Sequence, residues 1–265
     1  LFSDIITGAG ETYSRNGYEI NQSIVDDQKE NDVSRALKAR RSVDGVVVHG
    51  PSMNDPRIAL LTEIELPFAV HGRASGVQTP YSWLDVNNRR AFSRATNFLY
   101  DLGHRRIGLI NGLEHMDFAF RRRAGYLDTL NANGIPTDIS IMRTGEMTED
   151  FGYTSTRDML ALPNRPTGII AASMIVALGV RRAIDEAGLV MGRDVSVITH
   201  DDALSYLSNG GNVPIFTATR SSIRDAGRRL AAMLIANIHN QSAEPTNQLL
   251  EAELVVGQST GPAPF

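Results

Sequence analysis

Short apolar, β-branched runs alternate along the whole chain with longer segments whose apolar residues recur every three or four positions. That alternation predicts an α/β fold, a parallel sheet covered by helices. Phe2, Ile5, Ile6, Ala9 and Tyr13 keep helical spacing and stop at Asn16-Gly17, where glycine takes left-handed backbone at no Cβ cost. A strand is expected over residues 18–25 and a polar helix over 27–40. The runs Gly45-Val46-Val47-Val48 and Pro67-Phe68-Ala69-Val70 are continuous, the form of strands buried on both faces. Phe92, Ala95, Leu99 and Leu102 make one helical face closed by Gly103, and residues 106–110 supply the next strand.

The rhythm then restarts. Helices are expected over 118–133, 148–161 and 176–187, and strands near 139–143, 168–172, 195–199 and 216–219. Ile223, Ala226, Leu230, Met233 and Leu234 face inward on a further helix, and a last strand covers 248–256. Two lobes of one design follow. A parallel lobe normally has a strand before its first helix, yet here the chain opens on a helix.

The length of 265 residues and an apolar content of 42% suit two such lobes. The net charge of −4 offers no reason for the chain as a whole to bind a phosphate backbone. With no cysteine there is no disulfide framework, thiolate metal site or thiol nucleophile, which fits the cytoplasm. No apolar stretch is long enough to span a bilayer.

Six segments in order carry a resemblance to a known family: Asp44-Gly45-Val46-Val47-Val48, Leu102-Gly103-His104-Arg105-Arg106-Ile107, Arg122-Arg123-Ala124-Gly125-Tyr126, Ala177-Leu178-Gly179, Asp194-Val195-Ser196-Val197-Ile198 followed by Asp201-Asp202, and Ser259-Thr260-Gly261-Pro262. Across the full chain they resemble the effector-binding core of LacI/GalR transcriptional regulators, related to periplasmic sugar-binding proteins. The resemblance implies two Rossmann-like subdomains with parallel sheets, joined by three crossovers, with a small effector between them. By analogy residues 1–111 and 221–243 form one subdomain, and 113–219 with 248–265 the other. It also implies a first strand and a DNA-binding headpiece before the position of Leu1, so the chain is expected to be trimmed there. The implied partners are a mono- or oligosaccharide, operator DNA through the headpiece, and a second copy of the chain; neither a membrane nor a cofactor is implied.

A polyhydroxylated ligand needs carboxylates, amides and arginine as bidentate partners, beside an apolar platform. By resemblance Arg122 projects into the cleft, although it also reads as one of the solvated run Arg121–Arg123. Asp201 follows a strand at its carboxyl end, where open α/β sheets bind ligands, or it forms a loop turn with Asp202. By the same resemblance Phe2 stands as a cleft aromatic and Met147 as an apolar platform, with a core-facing place and core packing as their alternatives. Ser173-Met174 and His200 stand where the family usually has Asn-Asp and an aromatic, so the effector is expected to depart from the usual one. Ser221, Arg73 and Asn88 are further candidates, with surface roles as their alternative.

Enzyme signatures fail. Gly8-Ala9-Gly10 has Tyr13 in place of a third glycine and reads as a helix-packing feature. There is no G-x-S-x-G, Walker A or H-E-x-x-H sequence, and the adjacent residues His200-Asp201-Asp202 are poorly placed to share a metal. A solute-binding protein of a transporter is the other reading of the same fold.

Overall fold

A computed structural model of the chain describes residues 2–22, 25, 29–240 and 244–264. In chain order the elements are α1 (Phe2–Arg15), α2 (Glu30–Arg40), β1 (Val46–His49), α3 (Pro56–Glu63), β2 (Phe68–His71), β3 (Trp83–Val86), α4 (Asn88–Asp101), β4 (Ile107–Asn111) and α5 (Asp117–Ala132). They continue through β5 (Met142–Thr144), α6 (Glu149–Leu160), β6 (Gly168–Ala171), α7 (Met174–Glu186), β7 (Ser196–His200), β8 (Thr217–Arg220), α8 (Ile223–His239), β9 (Asn247–Leu250) and β10 (Glu253–Val255). The fold is α/β with parallel-dominated sheets. Two compact units result, Leu1–Val86 with Ser222–Leu250 and Asn87–Ser221 with Glu251–Phe265, so the chain passes between them three times.

The first unit holds a sheet in the order β1-β2-β3-β9, all pairs parallel. Helix α1 lies on α8 so closely that a Cβ on Gly8 would sit 2.0 Å from the Arg224 carbonyl oxygen. Gly8 is therefore a packing device, and no part of a nucleotide loop. Ile5, Ala9 and Tyr13 of α1 are buried, as are Ile223, Ala226, Leu230, Met233 and Leu234 of α8. Such burial stabilises by roughly 1.5–3 kcal/mol per large aliphatic side chain. β1 is the edge strand, and a groove of about 740 Å³ is lined by β1 together with Ile5, Ile6, Val33, Leu37 and Leu234.

The second unit holds a sheet in the order β10-β8-β7-β6-β4-β5, parallel except for β10 against β8. Strands β4, β6 and β7 are buried along their whole length, which explains why their apolar residues do not alternate with exposed polar ones. Gly103 and Gly134 take left-handed backbone at φ of 94° and 66°, ending α4 and α5 where expected.

Three expectations need correction, and two elements were unforeseen. The first boundary falls after Val86, not at 111–113: β4 pairs with β5 and β6, which commits it to the second sheet. The strand expected over 248–256 is two strands, β9 in the first sheet and β10 in the second, parted at Leu250–Glu251 where the chain crosses. Residues 18–22 and 25 form no strand, and 23 and 24 lie outside the described residues; Tyr18 N–H turns back to Tyr13 O at 3.0 Å. Helix α3 and strand β3 were not anticipated, although Asp55 caps α3 by accepting from Arg57 N–H and Pro56 opens it.

Candidate functional site

The carboxyl ends of β6, β7 and β8, the first turn of α4 and the second of α5 bring five of the candidate residues together in the second unit. Arg122 lies on the second turn of α5 and is buried to 6% exposure. Its Nε donates to Asn88 Oδ1 at 2.7 Å and Nη1 donates to Ala172 O at 3.0 Å. The guanidinium is flanked by the rings of Phe118 at 4.7 Å and Phe92 at 5.2 Å. Two aromatic faces and two directed hydrogen bonds fix a planar cation in one orientation at little further entropic cost. The solvated-run reading of Arg122 is thereby replaced.

Phe92 also meets the His200 ring, at 5.6 Å. His200 closes β7, with Nδ1 2.7 Å from Thr219 Oγ1 and Nε2 3.0 Å from Asp201 Oδ2. Asp201 takes left-handed backbone at φ 53°, tolerated by aspartate, and this turns its carboxylate back along the strand ends. Ser221 Oγ donates to Asp201 Oδ1 at 2.6 Å. Burial alone would raise the Asp201 pKa; His200, the positive charge of Arg122 and the Ser221 hydroxyl outweigh it and bring it down to about 2. Burial, aided by Arg122 and opposed by Asp201, lowers the His200 pKa. The site thus sets a carboxylate and a guanidinium of opposite charge around the His200 ring.

Residues 200–202 and 219–221 are joined pair by pair. His200 meets Thr219, Asp201 meets Ser221, and the buried Asp202 receives Arg220 Nε at 2.8 Å and Nη2 at 2.6 Å. Asn209 Nδ2 adds a bond to Asp202 at 2.6 Å. Nothing in the local sequence pattern identified Arg220 or Asn209; the repeated polar triplets on adjacent strands were the available signal.

Ser173 is half-buried and caps α7, its Oγ accepting from Val176 N–H at 3.3 Å, one residue after the carbonyl that holds Arg122. Met174 is a core residue at 1% exposure. Met147 is half-buried against the same core, and Gly112 brings it near Phe118: a Cβ there would lie 3.1 Å from the Phe118 ring and 3.5 Å from the Met147 sulfur.

Phe2 and Arg73 belong to the first unit. Phe2 is 46% exposed and its ring meets His49 at 5.2 Å. Arg73 Nε donates to Asp85 at 2.8 Å and its guanidinium covers Trp83 at 5.1 Å. His49 and His71, which sequence reasoning missed, end β1 and β2, stack at 4.8 Å and place their Nδ1 atoms 2.9 Å apart. Both close apolar runs of the same form, Val46-Val47-Val48-His49 and Phe68-Ala69-Val70-His71, and that shared ending was legible.

Residues 96–260 match the family model described as periplasmic binding protein-like domain. The chain is 41% identical over 266 residues to the HTH-type transcriptional regulator AglR of Rhizobium meliloti, covering 99% of this chain and 74% of that protein. Among solved structures, it is similar to a transcriptional regulator CelR-cellobiose complex, with 28% identity, TM-score 0.86, and coverage of 97% of this chain and 78% of that one. A regulatory protein of the LacI family from Chloroflexus aggregans gives 28% identity and TM-score 0.85, with 98% and 92% covered.

Proposed function

This chain belongs to the LacI family of transcriptional regulators, as its periplasmic binding protein-like core, and on that basis we propose that Arg122 and Asp201 bind a neutral, polyhydroxylated effector, a mono- or oligosaccharide. The observation that carries this reading is a buried guanidinium, held by Asn88 and Ala172 beside the rings of Phe92 and Phe118, within electrostatic reach of the ionised Asp201 carboxylate. Guanidinium and carboxylate are the side chains chemically suited to vicinal hydroxyls, and together they carry no net charge for an ionic ligand to neutralise. Phe118 and Met147 offer apolar surface to the C–H face of a sugar ring.

The CelR structure in complex with cellobiose supports a saccharide as the effector class. Operator DNA is the other partner, reached through a headpiece, and a homodimer in the cytoplasm is the working form. The effector acts by preferring one arrangement of the two units; equal affinity for both would shift nothing. Relatives named as regulators across 99% of this chain favour this reading over transport, and over catalysis.

A thermal-shift panel of mono-, di- and trisaccharides tests the site. At least one sugar is expected to raise the melting temperature of the wild-type chain and to lose that effect in Arg122→Ala and Asp201→Ala. No response to any sugar, or an undiminished response in both variants, would overturn it.

A further inference from the structure

Each charged member of the site is tied to a residue beside a point where the chain passes from one unit to the other. The first passage lies between Val86 and Asn87, and Arg122 Nε donates to Asn88 Oδ1 at 2.7 Å. The second lies between Ser221 and Ser222, and Ser221 Oγ donates to Asp201 Oδ1 at 2.6 Å. The third, between Leu250 and Glu251, is strapped to the first: Asn87 Nδ2 donates to Glu251 Oε1 at 2.9 Å and Arg94 donates to Ala252 O. Asn88 and Ser221 are buried to 3% and 4% exposure. Neither is therefore a surface residue that happens to reach inward.

From this wiring we infer that Asn88 and Ser221 are the positioning residues through which occupancy of the Arg122–Asp201 site reaches the passages between the units. The inference rests on the proposed effector site and adds the route of its output. The physics is competition for a shared group. A ligand hydroxyl that donates to Asp201 competes with, or redirects, the Ser221 hydroxyl, which is covalently one residue from the passage. A ligand oxygen that accepts from Arg122 pulls the guanidinium relative to Asn88 Oδ1, which opens α4 immediately after the passage. In a buried site such charge-assisted hydrogen bonds contribute more than their exposed counterparts, so small displacements carry usable free energy. A coupling of about 1–3 kcal/mol, five- to 150-fold in affinity, is the usual scale of such linkage.

Hydrogen–deuterium exchange of the ligand-free chain tests the wiring without any sugar. Arg122→Ala is expected to raise exchange at least about threefold in residues 88–95 of α4, and Asp201→Ala to do so in residues 219–223, while β6 and α7 keep wild-type protection. Asn88→Asp and Ser221→Thr, which preserve the acceptor and the hydroxyl, are expected to exchange as wild type. Unchanged exchange at both passages, or an equal rise across the whole second unit, would overturn the inference.

A second measurement reads function. The single tryptophan, Trp83, lies in β3, which ends at the first passage, and its emission is recorded during a cellobiose titration alongside calorimetry. Asn88→Ala and Ser221→Ala are expected to retain cellobiose binding within about tenfold while losing the emission change. An intact emission change in both variants counts against the coupling. If cellobiose fails to bind the wild type, the choice of saccharide fails, and the ligand-free exchange result still decides the wiring.

Discussion

The Cβ atom that Gly125 lacks would lie 2.0 Å from the carbonyl oxygen of Arg89. Helix α5 therefore rests directly on α4 one turn beyond Arg122 and one residue beyond Asn88. The spacing from arginine to glycine in the Arg122–Tyr126 segment thus has a packing cause: close approach of the two helices is what lets Arg122 reach Asn88.

Gly125→Ala is accordingly expected to push α5 off α4. The obstruction is backbone rather than a flexible side chain, so the cost is about 1–3 kcal/mol of stability, with weakened effector binding as the Arg122–Asn88 bond lengthens. Chemical denaturation and calorimetric titration check both effects, and an unchanged denaturation midpoint would contradict the packing account.

Gly8 and Gly10 make a paired test within one helix. A Cβ on Gly8 meets the Arg224 carbonyl at 2.0 Å, whereas one on Gly10 finds its nearest neighbour, the Ile20 side chain, at 3.8 Å. Gly8→Ala should destabilise the chain, and Gly10→Ala should stabilise it by up to about 1 kcal/mol through helix propensity. Melting temperatures that move in the same direction for both would refute the assignment of Gly8 to helix packing.

Arg122→Lys keeps the charge and loses the planar fork. An ammonium group cannot hold Asn88 Oδ1 and Ala172 O in the same geometry or fill the space between Phe92 and Phe118. A loss of about 1–3 kcal/mol in stability is expected, with an affinity fall of about tenfold or more for any sugar that binds the wild type. Wild-type affinity in the lysine variant would show that charge alone suffices.

Acid should weaken the chain over two distinguishable pH ranges. The Asp201 carboxyl is held near pH 2 in the folded chain against its ordinary 3.8, so the unfolded chain binds more protons between those values. Its contribution, roughly 2 kcal/mol, is complete above about pH 4 and is lost as the pH falls towards about 2. His200 is lowered from 6.5, so its contribution is present above that value and begins to fall below it. Stability profiles of Asp201→Asn and His200→Asn should each flatten in the corresponding range, and identical profiles to wild type would remove the electrostatic account.

Much of the fold was legible because burial leaves a periodic trace. The strands at Val46, Ile107, Gly168 and Ser196 are apolar on both faces, and glycines stand at the helix ends that need left-handed backbone. Strand β3 escaped notice because Asp85 sits inside it, paired with Arg73, and interrupts the apolar run. The division after Val86 escaped because strand pairing decides it, and pairing partners are distant in sequence. Among the candidate residues, Arg122 was singled out through resemblance and Asp201 through its place at a strand's carboxyl end, since a lone charge has no period. Phe92 and Phe118 were missed because an aromatic that clasps a cation and one that fills a core look alike along a helix.

The two polar triplets, residues 200–202 and 219–221, also bear on inheritance and redesign. Because each member of one grips its counterpart in the other, a change at Asp201 alone strands the Ser221 hydroxyl, and a change at Asp202 strands the Arg220 cation. Drift at these positions should be correlated, pair by pair. A library aimed at new effector preference would then do better to exchange the six residues as one cassette than to randomise them singly.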